Sequence, residues 1–207
     1  MDLKITGGQP NLEHMDKEIS RIISGYLDRQ MLIAMPGMED PNFAHSITYL
    51  WEHSEEGAMG LVINRALDLS YDEIFDQLDI GDFTPGNPSR VLSGGPVRTD
   101  RGFVLHRNTE QQWHSTLPLS EEISLTTSRD ILEAMARGEG PQDVLVALGY
   151  AGWGPGQLER EIAENAWLTL PALPAILFDV PIERRAHAAA LHFGINLDLL
   201  SSVHGTA

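Results

Sequence analysis

Apolar positions along this chain keep two spacings, one of about two residues and one of about 3.6, and the switches between them outline the elements. "QMLIAM" (30–35) and "AMGLVIN" (58–64, entered by Gly57) are short unbroken apolar runs, the pattern of buried strands. "DVLVALGY" (143–150) and "AILFDV" (175–180) repeat that pattern. "VLSGGPV", "GFVLH" and "ISLTT" follow one another without a crossover helix, which predicts antiparallel pairing in the middle of the chain. Helical spacing occurs at 11–24, where Leu12, Met15, Ile19, Ile22 and Ile23 fall near one face behind Asn11 as a cap; residues 1–10 read as disordered. Phe43, Ile47, Leu50 and Trp51 make a second helical stripe, opened by Asp40 as N-cap and Pro41 at the first helical position. Ser70 with Glu73 and Thr127 with Asp130 are capping boxes, opening "SYDEIFDQL" and "RDILEAMARG", and Gly138 closes the latter. "GDFTPGNPS" is a loop, and Pro181 starts a last helix that Gly194 stops. Strands and helices alternate at both ends around a β-rich middle, which predicts a mixed α/β, or α+β, domain and not a doubly wound sheet.

One stretch departs from plain periodicity. "LVALGYAGWGPGQLEREIAENAWL" places Gly149, Gly152, Gly154 and Gly156 between a strand and a helix, the setting of a dinucleotide fingerprint. Asp179 even stands near where a ribose-binding acid would lie. The spacing fails, however, because Gln157 occupies the third glycine position. Pro155 removes an N–H where phosphate would be gripped, and Glu159 and Glu161 put like charge at the helix start. On the helix, Leu158, Ile162 and Ala166 form the apolar stripe, Asn165 projects within it and Glu161 lies at its edge. Asn165 and Gln157 then either tie down neighbouring backbone or point into a pocket beside the glycine loop. Trp153 and Trp167 bracket the helix as packing residues.

Composition narrows the classes. The 207 residues fit one domain, and 42% of them are apolar. The formal charge is −16, with no basic stripe, which argues against direct binding to a phosphate backbone. There is no cysteine, so disulfide and thiolate chemistry is excluded. Neither a signal peptide nor an apolar run of about 18 residues is present, and a cytoplasmic protein without membrane contact is the expectation. The eight histidines are scattered without metal-ligand spacing, so no metal or other cofactor is expected. There is no nucleophile elbow either.

The ordered series "LIAMPGMEDPNF", "GAMGLVIN", "LSGGPV", "RGFVLH", "LTTSRDIL" and the long "GYAGWGPGQLE" block resembles the AlgH/YqgE family over about residues 28–207, with 1–27 as an N-terminal extension. The resemblance implies a single cytosolic bacterial domain. Its α+β fold would be a bifurcated, largely antiparallel sheet curled into a pseudo-barrel with surrounding helices. Some members carry a transcriptional-regulator label. The family pattern carries over to a candidate pocket of Asn64, Gly94, Gly95, Pro96, His106, Ser128, Trp153, Gly156, Gln157, Glu159, Glu161 and Asn165, without catalytic roles. Ala186 stands where the family commonly has tryptophan. Together these features predict a non-enzymatic binding or regulatory protein. Its partner would be a protein or small molecule, and its polar pocket would be built by the GGPV bend, "FVLH" and the GQLE helix. Two alternatives stay open: an enzyme using His106 with Glu159 or Glu161 for proton transfer, and a nucleotide binder at the Gly152–Gly156 loop.

Overall fold

The computed structural model describes residues 26–80 and 89–201. The expected disordered start, the 11–24 helix and nearly all of the "GDFTPGNPS" loop lie outside those residues. Strands β1 (Gln30–Ala34), β2 (Ile47–Ser54) and β3 (Gly57–Val62) form an antiparallel meander. Then come β4 (Ala66–Ser70), helix α1 (Tyr71–Gln77), β5 (Arg90–Ser93), β6 (Val97–Arg107), β7 (Thr116–Pro118) and β8 (Ile123–Thr126). Helix α2 (Arg129–Ala136), β9 (Val144–Trp153), α3 (Gln157–Ala163) and β10 (Trp167–Pro171) follow. Helix α4 (Pro174–Phe178), a 3₁₀ turn (Ile182–Arg184), α5 (Arg185–His192) and α6 (Leu197–Ser201) complete the order.

The ten strands form one sheet that curls into a half-barrel: eight run in the order β10-β1-β2-β3-β9-β6-β8-β7, and β4 pairs with β5, which joins them at β9. Strand β9 is its fork. The far end of β9 pairs with β3, while its first half lies between antiparallel β6 and parallel β5. The sheet is largely antiparallel, as expected, and the β5–β9 pairing is its parallel exception. The GGPV bend sits at this fork. A Cβ on Gly95 (φ +149°) would lie 2.2 Å from the carbonyl carbon of Tyr150, and one on Gly94 would lie 2.3 Å from the Gly149 carbonyl oxygen. Only glycine allows the two backbones to cross so closely.

Residues 47–54 form a strand, not the expected helix. Asp40 does cap a turn: its carboxylate accepts from the Asn42 N–H (2.8 Å), and its carbonyl accepts from Phe43 and Ala44. The turn stops at His45, which is left-handed at φ +61°. The Asn64 amide then clips its exit, donating to the His45 carbonyl and accepting from the Ile47 N–H, both at 2.9 Å. The Arg65 guanidinium donates to the Pro41 and Ala44 carbonyls. Ile47 to Leu50 are buried on both faces between β1 and β3, so the run shows no alternation. A second correction concerns "AILFDV". Pro174 at the helix start makes it α4, and the strand is instead β10, paired residue for residue with β1.

Of the two expected capping boxes one forms. The Ser70–Glu73 capping box forms in full. The Thr127–Asp130 box does not. Ser128 is the N-cap, its hydroxyl accepts from the Ser115 N–H, and Asp130 accepts from the N–H and Nδ1–H of His114. Burial alone pushes the Asp130 carboxyl up, but hydrogen bonds from Ser128 and His114 outweigh it and hold it below its usual range. Helix α5 packs Ala186, Ala189 and Ala190 on the main core. It is tied to the sheet by the buried Arg185, which donates to the Val180 and Ile63 carbonyls, and burial lowers the Arg185 pKa to about 10.

Candidate functional site

The "GWGPGQLEREIAENAW" block builds a closed polar hub. Gly156 (φ +67°) precedes α3 as a left-handed N-cap, while Gly154 needs no such conformation. The Gln157 side chain folds back to accept from the Gly154 N–H (3.0 Å) and donates to Glu161 Oε1 (2.8 Å). Glu161 Oε2 accepts from both flanking indoles, Trp153 Nε1 at 3.0 Å and Trp167 Nε1 at 2.7 Å. The two rings pack edge to face, and Phe43 packs on both. One carboxylate therefore satisfies two nearly buried indole donors and an amide. The loop N–H that could hold a phosphate is already spent on Gln157.

Asn165 corrects the helix-face expectation. Helix α3 ends at Ala163, and Asn165 is an exposed left-handed residue (φ +58°) beyond its C-cap. The bonds from Asn165 N–H to the Ile162 carbonyl and from Ala166 N–H to the Glu161 carbonyl complete a Schellman motif. Extending the 3.6-residue period past that stop put Asn165 on a packed face that the helix never reaches. Glu159 pairs with His53, whose Nε2–H donates to it at 3.0 Å while Nδ1 accepts from the Leu27 N–H at 2.9 Å. His53 is nearly buried on β2 and pins the start of the described chain to α3. Neither Glu159 nor Glu161 meets His106.

His106 lies at the end of β6, 1% exposed. Its Nδ1–H donates to the Arg107 carbonyl (2.8 Å) and its Nε2 accepts from the Thr126 hydroxyl (2.9 Å), which in turn accepts from Thr116 (2.8 Å). Burial pushes its pKa below the ordinary value, partly countered by the Arg107 carbonyl, so the ring is neutral near pH 7. Trp113 packs edge-on against it, with ring centres 5.1 Å apart. Both residues line a cavity of about 380 Å³ whose wall is completed by Asn108, Gln111, Gln112, His114 and Ser and Thr hydroxyls. Among the described residues no carboxylate, lysine or arginine lines it. Asn108 is consumed by the Ser120 and Glu121 carbonyls and the Ser124 hydroxyl, which makes it a rigid wall. The Trp113 indole N–H is buried and has no acceptor among the described residues. A lone tryptophan inside the polar run "NTEQQWHST" was the available sequence signal for this pocket.

The expected pocket residues are thus spread over the molecule. Gly94, Gly95 and Pro96 stand at the sheet fork, and Asn64 clips the 40–45 turn. Ser128 caps α2 at a different cavity, and Gly156, Gln157, Glu161 and Trp153 form the hub. His106 alone of the set lines the uncharged cavity. Among the described residues no cluster of three or more His, Asp or Glu could hold a metal ion.

The AlgH-like family model (DUF179) matches residues 31–198. The chain belongs to the AlgH-like family. A UPF0301 protein of Thioalkalivibrio sulfidiphilus is 56% identical over 184 residues, covering 89% of this chain and 98% of its own. The UPF0301 protein AlgH of Pseudomonas aeruginosa is 53% identical over 184 residues, 88% of this chain and 96% of that one. The solution structure of that AlgH protein superposes with a TM-score of 0.72 over the same shares. A Corynebacterium diphtheriae crystal structure, at 22% identity and a TM-score of 0.66, covers 85% of this chain and 92% of its own, and shares the fold. The names of these AlgH-like relatives assign no biochemical activity. No described helix is long and apolar enough to cross a membrane.

Proposed function

We propose that this AlgH-like chain is a cytoplasmic binding protein that works without covalent chemistry of its own and takes an uncharged, hydrogen-bonding small molecule in the His106–Trp113 cavity. The observation that carries this is the wall of that cavity: among the described residues it is amides, hydroxyls, the neutral His106 imidazole and His114, with no carboxylate, lysine or arginine, in a chain of charge −16. A cation would find no carboxylate in that wall and an anion no lysine or arginine, whereas amides and hydroxyls match a ligand rich in hydroxyl or amide groups. Proton transfer by His106 and a glutamate loses its basis because Glu159 and Glu161 are held by His53 and the hub. Nucleotide binding at the glycine loop loses its basis with the Gly154 N–H. Any regulatory action would then pass through ligand-dependent contact with another protein, because the net charge disfavours DNA. A thermal-shift screen against neutral sugars, polyols, nucleosides and amides, with organic acids and amines as controls, tests this. Saturable stabilisation by a neutral compound, abolished in Trp113→Phe, is expected. Stabilisation confined to charged compounds contradicts it.

A further inference from the structure

A second cavity, of about 330 Å³, lies nearer the start of β6. Val104, Val146 and Leu148 of the sheet form its apolar floor, and Ile74, Leu78 and Leu132 of the α1 and α2 region form its walls. It exists because β6 leaves β9 between Val97 and Gly102. The residues between them bulge out against Gly149 alone, and the register resumes at Gly102. Gly102 itself lines the cavity. A glycine inside a strand weakens it, and such a glycine marks a bulge, a close backbone approach or a bound ligand. A left-handed bulge does not need it, since the φ of Gly102 lies outside that region. Close approach does not need it either, because a Cβ there meets no described atom within 4 Å. What the missing side chain leaves is open space at a residue that lines the cavity. Asp100 and Arg129 also line it, and each already has a partner of opposite charge, Arg98 for Asp100 and Glu133 for Arg129, so no net charge favours an ionic head group.

We infer that this cavity is a second ligand site, for a small uncharged molecule with an apolar body and one hydrogen-bonding end at the Thr127–Ser128 rim. Its volume is at the lower end of ligand sites, which run about 300–1,000 Å³. The site is independent of the His106 pocket. The test is an NMR titration of the full chain with 1-octanol, with octanoate as the ionic counterpart. Expected are saturable shifts of the Val104, Val146 and Leu148 methyls with 1-octanol, at least tenfold weaker binding of octanoate, and no movement of the Trp113 indole N–H. Gly102→Leu fills the cavity. It should keep the wild-type unfolding midpoint or raise it, and weaken 1-octanol binding at least tenfold. If Gly102→Leu fails to fold, Leu132→Phe fills the same volume from α2 and should weaken binding in the same direction. No saturable shift in the wild type, or unchanged 1-octanol affinity in the filled variant, overturns the site. Equal binding of octanoate overturns its preference for an uncharged ligand.

Discussion

Two places in this molecule set a tryptophan beside a polar group, and they end differently. At the GQLE hub, the Glu161 carboxylate is met by two indole donors and an amide, and every donor has its acceptor. At the His106 cavity, the imidazole is satisfied on both nitrogens but the neighbouring indole is not, and the space beside it is open. The first arrangement is what stabilising polar chemistry requires: matched, packed and closed. The second leaves a buried donor unmatched among the described residues. The long motif that dominates the sequence is thus tied up in the fold, and the cavity proposed for binding is walled by a polar loop.

The largest way to break the comparison is to remove the hub's acceptor. Glu161→Leu strands three donors and should cost on the order of 3–5 kcal/mol in a urea titration, each stranded buried donor costing about 1–3 kcal/mol. Ligand binding at the His106 cavity should survive in whatever fraction still folds. Matched tryptophan changes come next. Trp153→Phe should cost about 1–2 kcal/mol by taking a partner from Glu161, whereas Trp113→Phe should be neutral or stabilising by up to ~1 kcal/mol, because it deletes an unmatched donor. A loss from Trp113→Phe as large as that from Trp153→Phe would dissolve the distinction.

A smaller test separates the glycines of the hub loop. Gly156→Ala should lose about 1 kcal/mol, the cost of a Cβ in the left-handed region. Gly154→Ala should stay within about 0.5 kcal/mol, since its Cβ would meet nothing closer than 3.9 Å. The subtlest effect is a slope. The pKa of His106 is depressed in the folded state, so between that value and the ordinary 6.5 the unfolded chain binds a proton that the native chain does not. Its contribution to stability is complete above pH 6.5, declines as pH falls below that, and stops declining once the native ring also protonates. Urea midpoints measured from pH 7.5 downward should show this acid slope in the wild type and a shallower one in His106→Gln. Equal slopes would mean that the burial of His106 does not oppose its charge.

Local rules made much of the fold legible. The Ser70–Glu73 box, the Gly138 and Gly194 stops and the three strands 30–34, 57–62 and 144–153 depend on neighbours in sequence or on long apolar runs. Residues 47–54 were illegible because Asp40 and Pro41 do start a turn, and only the distant Asn64 and Arg65 decide that it ends at His45. Asn165 was misplaced by one assumption, that α3 runs on to Ala166. The hub could not be read because Glu161 meets its indoles only after β9 and β10 are set in the sheet. The cavity was missed for a similar reason: His106 meets Trp113 and Thr126 through a loop and a strand pairing that no spacing rule encodes.

The most direct measurement follows the indole N–H resonances of Trp113, Trp153 and Trp167 together, in ¹H–¹⁵N spectra of the full chain titrated with the neutral sugar, polyol, nucleoside and amide panel. The account predicts that a binding compound moves the Trp113 indole saturably while Trp153 and Trp167, locked on Glu161, stay in place. The result that would contradict it is a panel that leaves Trp113 unmoved, or a ligand whose binding shifts the Glu161-bound indoles instead.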